Sequence, residues 1–104
     1  MAEYKVYITK PAENDLFDIV RYISLQLNAP VAALNMFRTI TDAIKNLSTA
    51  ALAHPLVRDD RLAAMGYRQL IIKNYIAFYI VDEKGKCVDV DRILYARRDW
   101  QRIL

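Results

Sequence analysis

"GYRQLIIKNYIAFYIVDEKGKCVDVDRILYARRDW" runs from Gly66 to Trp100, and the way it is punctuated decides the fold. Three runs rich in β-branched and aromatic residues occupy 67–73, 75–82 and 87–95. They are separated by Asn74 and by "EKGK" at 83–86. Gaps that short join antiparallel neighbours, so the stretch reads as a meander of two hairpins, with Gly85 expected to supply a positive φ in the second turn. Alternation on the first strand puts Arg68 on one face with Leu70 and Ile72. Tyr67, Gln69, Ile71 and Lys73 take the other face.

Upstream, "YKVYIT" (4–9) alternates in the same way and reads as a strand. Thr9 and Lys10 precede Pro11, which suits the first turn of a helix, and Glu13, Asp15 and Asp18 suit the positive end of its dipole. Leu16, Ile19, Val20, Ile23 and Leu27 repeat at helical spacing. Asn28 is expected to cap a second helix opened by Pro30, with its stripe on Leu34, Phe37, Ile40, Ile44 and Leu47. Two amphipathic helices with so short a link form an antiparallel hairpin whose stripes face a common surface. Residues 48–66 have no clean period and read as an extended loop with a helical turn at 59–64. The tail, 96–104, reads as one more turn, with Trp100 packed under the sheet. The order is β-α-α-β-β-β, an α+β fold in a single domain over residues 1–104.

Composition narrows the function. The chain has 104 residues, is 55% hydrophobic and carries a net charge of +3. Its two halves differ: residues 1–52 hold five Lys/Arg and five Asp/Glu, whereas residues 53–104 hold ten and seven. The basic half suits an anionic partner, and the apolar surplus suits a surface that another chain covers. The lone Cys87 rules out an internal disulfide and a CxxC site. With His54 the only histidine, with acidic pairs scattered and with two glycines, neither a metal site nor a phosphate-cradling loop is expected, and no cofactor is assigned. No apolar run reaches transmembrane length and no signal peptide is evident, so no membrane partner and a cytoplasmic location are expected.

The charge concentrates in "RILYARRDW" (92–100), where Arg92, Arg97 and Arg98 stand beside Tyr95 and Trp100. Guanidinium forks match phosphate and carboxylate oxygens, so these three, with Arg68 and Lys73, are the candidate target-binding residues. Metal-free cleavage of RNA needs a base, an acid and cations around the phosphate. Arg68 and Arg98 as cations and Tyr95 as a proton carrier are the candidate catalytic set.

The whole chain resembles the RelE/ParE superfamily, the toxins of type II toxin–antitoxin pairs often labelled plasmid-stabilisation proteins. "YKVYITKPAENDLFDIVRYI" is similar to the family's first strand and helix. Residues 66–100 are similar to its most recognisable block: an R-x-L strand, N-Y-x-x-F-Y, a D-E-x-G-type turn, then R-I-L-Y-x-R-R-D. The resemblance implies a helical hairpin packed on a twisted antiparallel sheet. It also implies a cognate antitoxin, expected on Leu16, Ile23, Phe37 and Ile44 of the hairpin. For activity it implies one of two modes: a ParE-like arrest through DNA gyrase, or RelE-like, ribosome-dependent cleavage of mRNA. RelE-like chemistry uses an arginine on the penultimate strand and commonly a tyrosine or histidine beyond the last. The matching positions here are Ile76 and the neighbourhood of Leu104, whereas the arginine after the last strand is kept as Arg98. This departure favours the gyrase mode over an mRNA interferase. A non-toxic nucleic-acid-binding module that merely shares the fold is the third reading.

Overall fold

The computed structural model describes residues 3–104. Strand β1 (Lys5–Ile8) leads into helix α1 (Lys10–Arg21), continues through a π-helical segment (Tyr22–Gln26) and returns along α2 (Pro30–Lys45). Short helices α3 (Leu47–Ala50) and α4 (Asp60–Ala64) precede strands β2 (Arg68–Ile72), β3 (Tyr75–Asp82) and β4 (Cys87–Tyr95), and α5 (Trp100–Ile103) closes the chain. The sheet order is β1-β4-β3-β2. The C-terminal strands form the expected antiparallel meander, while β1 joins β4 in parallel. A parallel neighbour needs a crossover rather than a tight turn, and the helical hairpin is the first part of that crossover.

Local chemistry explains most boundaries. The Thr9 hydroxyl accepts a hydrogen bond from the Ala12 amide and caps α1. Asp59 caps α4 in the same way, accepting from Leu62 N. Three details depart from the sequence-based expectation. Asn28 caps nothing; it takes a left-handed φ of 50° that ends the π-helical segment, a conformation asparagine tolerates, and Ala29 stands at the N-cap of α2. In the β3–β4 turn Lys86, not Gly85, has the positive φ, at 54°. Gly85 is needed there for closeness: its amide donates to Asp82 Oδ1 at 3.1 Å, and a Cβ would lie 2.6 Å from Asp82 Oδ2. Finally, the expected stripe holds at Phe37, Ile40, Ile44 and Leu47, but at the start of α2 Ala33 is buried in place of Leu34, which is exposed.

Both faces of the sheet are covered. On the hairpin face, Leu16, Ile40, Ile44 and Leu47 pack on Leu70, Ala77, Tyr79, Val88, Val90 and Ile93. Leu16, Ile23 and Ile44 are buried and Phe37 is half-buried against this core, so the residues expected to meet an antitoxin are held inside the chain. They face the sheet because that is where the largest apolar area is removed from water. On the second face, Val57 and Leu62 from the 48–66 segment join Tyr67, Ile76, Phe78 and Leu94, with Trp100, Ile103 and Leu104 of the tail packed against them. The supposed loop is therefore half of a second core. Residues 55–57 run beside β2, with Val57 N donating to Tyr67 O and Gln69 N to Pro55 O.

One contact joins helix to sheet. Strand β1 ends at Ile8, opposite Val90, which leaves the edge of β4 uncovered beyond that point. Asp15 on α1 takes over. Its carboxylate accepts from Arg92 Nε at 2.7 Å, Arg92 Nη2 at 2.9 Å and the Ile93 amide at 3.0 Å. The side chains are 27% and 12% exposed for Arg92 and Asp15. Hydrogen bonding to Asp15 raises the Arg92 pKa, outweighing the opposing effect of burial. Next to it, Asp91 is the extra residue of a β-bulge: Tyr79 pairs with Val90 and Phe78 with Arg92. Thr9 Oγ1 donates to the Asp91 carbonyl at 2.9 Å, so α1's first turn also satisfies the bulge.

Asp15→Ala strands a half-buried guanidinium and an edge amide, and is expected to cost roughly 3 kcal/mol in urea unfolding. Arg92→Leu added to Asp15→Ala should recover part of that loss, because it removes the uncompensated charge. A double variant as unstable as the sum of the singles contradicts this account.

Candidate functional site

The sequence candidates divide between the two ends of the sheet. Arg68 sits opposite Tyr79 in the β2–β3 register, whereas Tyr95 sits opposite Tyr75 in the β3–β4 register. Four residues of strand separate those levels, about 13 Å at 3.3 Å per residue. Arg68 also has a structural partner, since its Nη1 donates to the His54 carbonyl at 2.7 Å. It stands beside Tyr79, whose pKa it lowers slightly against the larger upward effect of burial. Arg68, Tyr95 and Arg98 therefore do not share one site. Arg92, expected among the target-binding cations, is held by Asp15, which takes its Nε and Nη2 donors and neutralises its charge.

The rest of the basic set does converge. Ala96 N donates to Asn74 O at 2.8 Å, tying the turn after β4 to the β2–β3 turn. Lys73 at the latter, with a φ of 56°, and Arg97 and Arg98 at the former lie exposed at one end of the molecule. Among the described residues none of these three forms an ion pair. Arg98 N donates to Tyr95 O at 3.0 Å, a tight turn that aims the chain back under the sheet.

Beside this basic end a groove of about 740 Å³ opens between α1 with its π-helical extension and the ends of β3 and β4. Its walls include Asp18, Tyr22, Tyr75, Tyr95 and Arg98. The Tyr75 and Tyr95 rings meet edge to face at 6.0 Å. Burial raises the Tyr75 pKa, and the neighbouring Tyr95 and Tyr22 phenols raise it further. Sequence reasoning had singled out Tyr95 and Arg98 but missed Tyr22 and Tyr75. Tyr22 lies off the apolar stripe that helical periodicity follows, and the π-helical turn after it carries Leu27, which that stripe included, out to the groove.

The middle of β4 behaves differently. Tyr67 donates its hydroxyl to Asp91 Oδ2 at 2.8 Å, and burial followed by that carboxylate pushes its pKa up to about 12. Burial likewise pushes Tyr79, whose hydroxyl donates to the Ala51 carbonyl at 2.8 Å, up to about 12. These two phenols are structural. On the second sheet face Ile76, Phe78 and Leu94 are buried beneath the tail, with the Trp100 ring centroid 5.0 Å from that of Phe78.

Comparison with known proteins agrees with this architecture. The family model for the ParE toxin of the type II toxin–antitoxin system, parDE, matches residues 6–100. No curated protein matches the chain by sequence. Among solved structures, the chromosomal ParDE toxin–antitoxin system from P. aeruginosa aligns with a TM-score of 0.73 and 22% identity, covering 93% of this chain and 100% of that one. The toxin–antitoxin complex RelBE2 from Mycobacterium tuberculosis aligns with a TM-score of 0.67 and 18% identity, covering 89% of this chain and 98% of that one. At these identities the likeness to the two structures is one of fold.

Alkaline titration checks the burial of the phenols. Tyr67 and Tyr79 are expected to ionise near pH 12, and Tyr67→Phe and Tyr79→Phe should each remove one late equivalent from the ultraviolet titration. Their folded pKa values lie above the unfolded value of 10.0, so their contribution to stability is complete below pH 10 and lost as the pH rises towards 12. The urea midpoint should therefore fall across that window, and fall less in either variant.

Proposed function

Because the chain belongs to the ParE toxin family of type II toxin–antitoxin systems, we propose that it arrests growth by acting on DNA gyrase and is neutralised by a cognate antitoxin. The observation that carries the choice of mode is the packing of the second sheet face. Ribosome-dependent cleavage of the RelE-like kind would need a cation on the penultimate strand and a proton carrier beyond the last strand. The strand positions there, Ile76 and Phe78, are buried among Leu94, Trp100 and Ile103. A phosphate brought to that face would meet hydrocarbon, which cannot stabilise its developing charge.

The contact with the target is assigned to the exposed basic end, with Lys73, Arg97 and Arg98 as its cations. These guanidinium and ammonium groups keep their full donor capacity for an anionic surface. The antitoxin is supported by the family itself, a two-component system, and by the two structural neighbours, one described as a toxin–antitoxin system and the other as a toxin–antitoxin complex.

Expression from a tightly repressed promoter should stop growth, with DNA breaks and an SOS response while messages stay intact. The triple variant Lys73→Ala, Arg97→Ala, Arg98→Ala should relieve the arrest while melting within a few degrees of the parent, since all three side chains are exposed. New cuts at ribosomal A-site codons in primer extension would transfer the protein to the mRNA interferases. Uninhibited growth with steeply salt-dependent binding to bare DNA or RNA would make it a nucleic-acid-binding module instead.

A further inference from the structure

The basic end extends beyond the three cations already assigned to the target. Arg97 and Arg98 lead directly into α5. Helix α4 lies against α5, because Arg61 Nη2 donates to the Gln101 carbonyl at 3.2 Å across 40 residues of chain. The second sheet face holds both helices in place. Leu62 of α4 is completely buried, and Trp100 and Ile103 of α5 pack against the same core. The outward positions of the two helices therefore form one surface. On α4 these are Asp60, Arg61 and Ala64, and on α5 they are Gln101 and Arg102. Arg58 is exposed just before α4.

Five arginines occupy this surface: Arg58, Arg61, Arg97, Arg98 and Arg102. Three carboxylates accompany them. Asp59 Oδ1 accepts from Leu62 N at 3.0 Å, and Asp99 Oδ2 meets Arg102 Nε at 3.1 Å, whereas Asp60 is exposed. The balance is positive, and among the described residues Arg58, Arg61, Arg97 and Arg98 form no ion pair. The surface is also short of hydrocarbon. No large apolar side chain is exposed on α4, on α5 or between β4 and α5; Met65 and Tyr95 only flank it. A protein interface is anchored by apolar and aromatic groups buried at its centre, whereas an interface with nucleic acid is polar and strongly positive. Guanidinium forks spread along a strip match the repeated phosphates of a duplex.

We propose that α4 and the tail continue the basic end into a seat for the phosphate backbone of duplex DNA, the DNA that gyrase holds, with Arg61 as a contact beyond Lys73, Arg97 and Arg98. The assignment rests on the gyrase reading above and adds to it the chemistry of what this surface touches: phosphate, and not a carboxylate face of the enzyme. Sequence reasoning passed over Arg61, since only the packing of α4 beside the tail brings it to the basic end. The toxin then binds gyrase loaded with DNA better than gyrase alone. Counterions released from the phosphates supply the difference, so it shrinks as salt rises.

The test uses the full chain and intact gyrase. Affinities are measured for gyrase alone, for gyrase on a linear duplex and for that duplex alone, between about 50 and 200 mM salt. The parent should bind the loaded enzyme at least ~10-fold tighter than either component. Arg61→Ala and Arg97→Ala should each cut that gain severalfold and reduce the salt slope by about one, with affinity for gyrase alone unchanged. Arg61→Gln keeps a donor for the Gln101 carbonyl but removes the charge. It should lose binding as Arg61→Ala does while melting with the parent, which separates lost charge from a loosened tail. Lys84→Ala, at the other end of β4, should change nothing. Equal affinity for gyrase with and without DNA overturns the assignment and leaves the gyrase reading intact, as do parental salt slopes in the arginine variants. Arginine variants that weaken binding to gyrase alone give the surface to an acidic face of the enzyme, and likewise overturn it. A parent that binds neither form of gyrase, or binds the bare duplex as tightly as the loaded enzyme, defeats the gyrase reading, and this assignment falls with it.

Discussion

Asp15 is the point on which helix and sheet agree. Strand β1 is only four residues long, and beyond Ile8 the last strand has no neighbour on that side. An uncovered edge amide must find an acceptor, and the Ile93 amide finds it in a side chain of α1. The same carboxylate holds the Arg92 fork, so one residue satisfies the strand edge, neutralises a half-buried charge and sets the height of α1 against the sheet. Every wall of the groove inherits that placement. One side of it is the helix that Asp15 positions, and the other is the end of the strand that Asp15 grips.

The adjacent bulge does the complementary work. Strict alternation along "CVDVDRILY" would bury Val88, Val90, Arg92 and Leu94 on one face. The extra residue at Asp91 changes the phase, so Val90 and Ile93 both face the hairpin and Leu94 faces the tail. An arginine is thereby kept out of the main core, and the second face becomes continuous hydrocarbon from Ile76 to Leu94. That face is why β3 is buried on both sides, and why the tail and the 48–66 segment belong to the folded body. Such a sheet leaves its ends and the outer faces of the covering segments as the surfaces with chemistry to offer.

Much of this was legible in the residues. The bounds of β3 and β4 follow from hydrophobic runs ended by polar turns, and the observed strands coincide with them. Thr9, Pro11 and Pro30 announce helix starts, and helices begin there. The helical turn expected at 59–64 is the small helix α4. The resemblance to the family was carried by the first strand and helix and by residues 66–100, and the family model matches residues 6–100. Legibility stopped where a residue's role depends on a partner distant in the chain. Leu16, Ile23 and Ile44 were read as a surface for another protein because an amphipathic stripe looks the same whether it meets its own sheet or a second chain.

The sequence by itself determined the order of the main elements, the bounds of β3 and β4, and the concentration of positive charge near the end of the last strand, because all of these are local properties of spacing and side-chain chemistry. Only the tertiary structure decided which of those charges are free. Arg92 is taken by a carboxylate 77 residues away, Arg68 by a loop carbonyl, and Lys73, Arg97 and Arg98 are left exposed by none. It also decided that a π-helical turn and two strand ends bring Tyr22, Tyr75 and Tyr95 around one groove. The reason is that pairing register, a bulge and a widened helical turn act over distance. They decide which side chains meet, and no single stretch of chain contains that information.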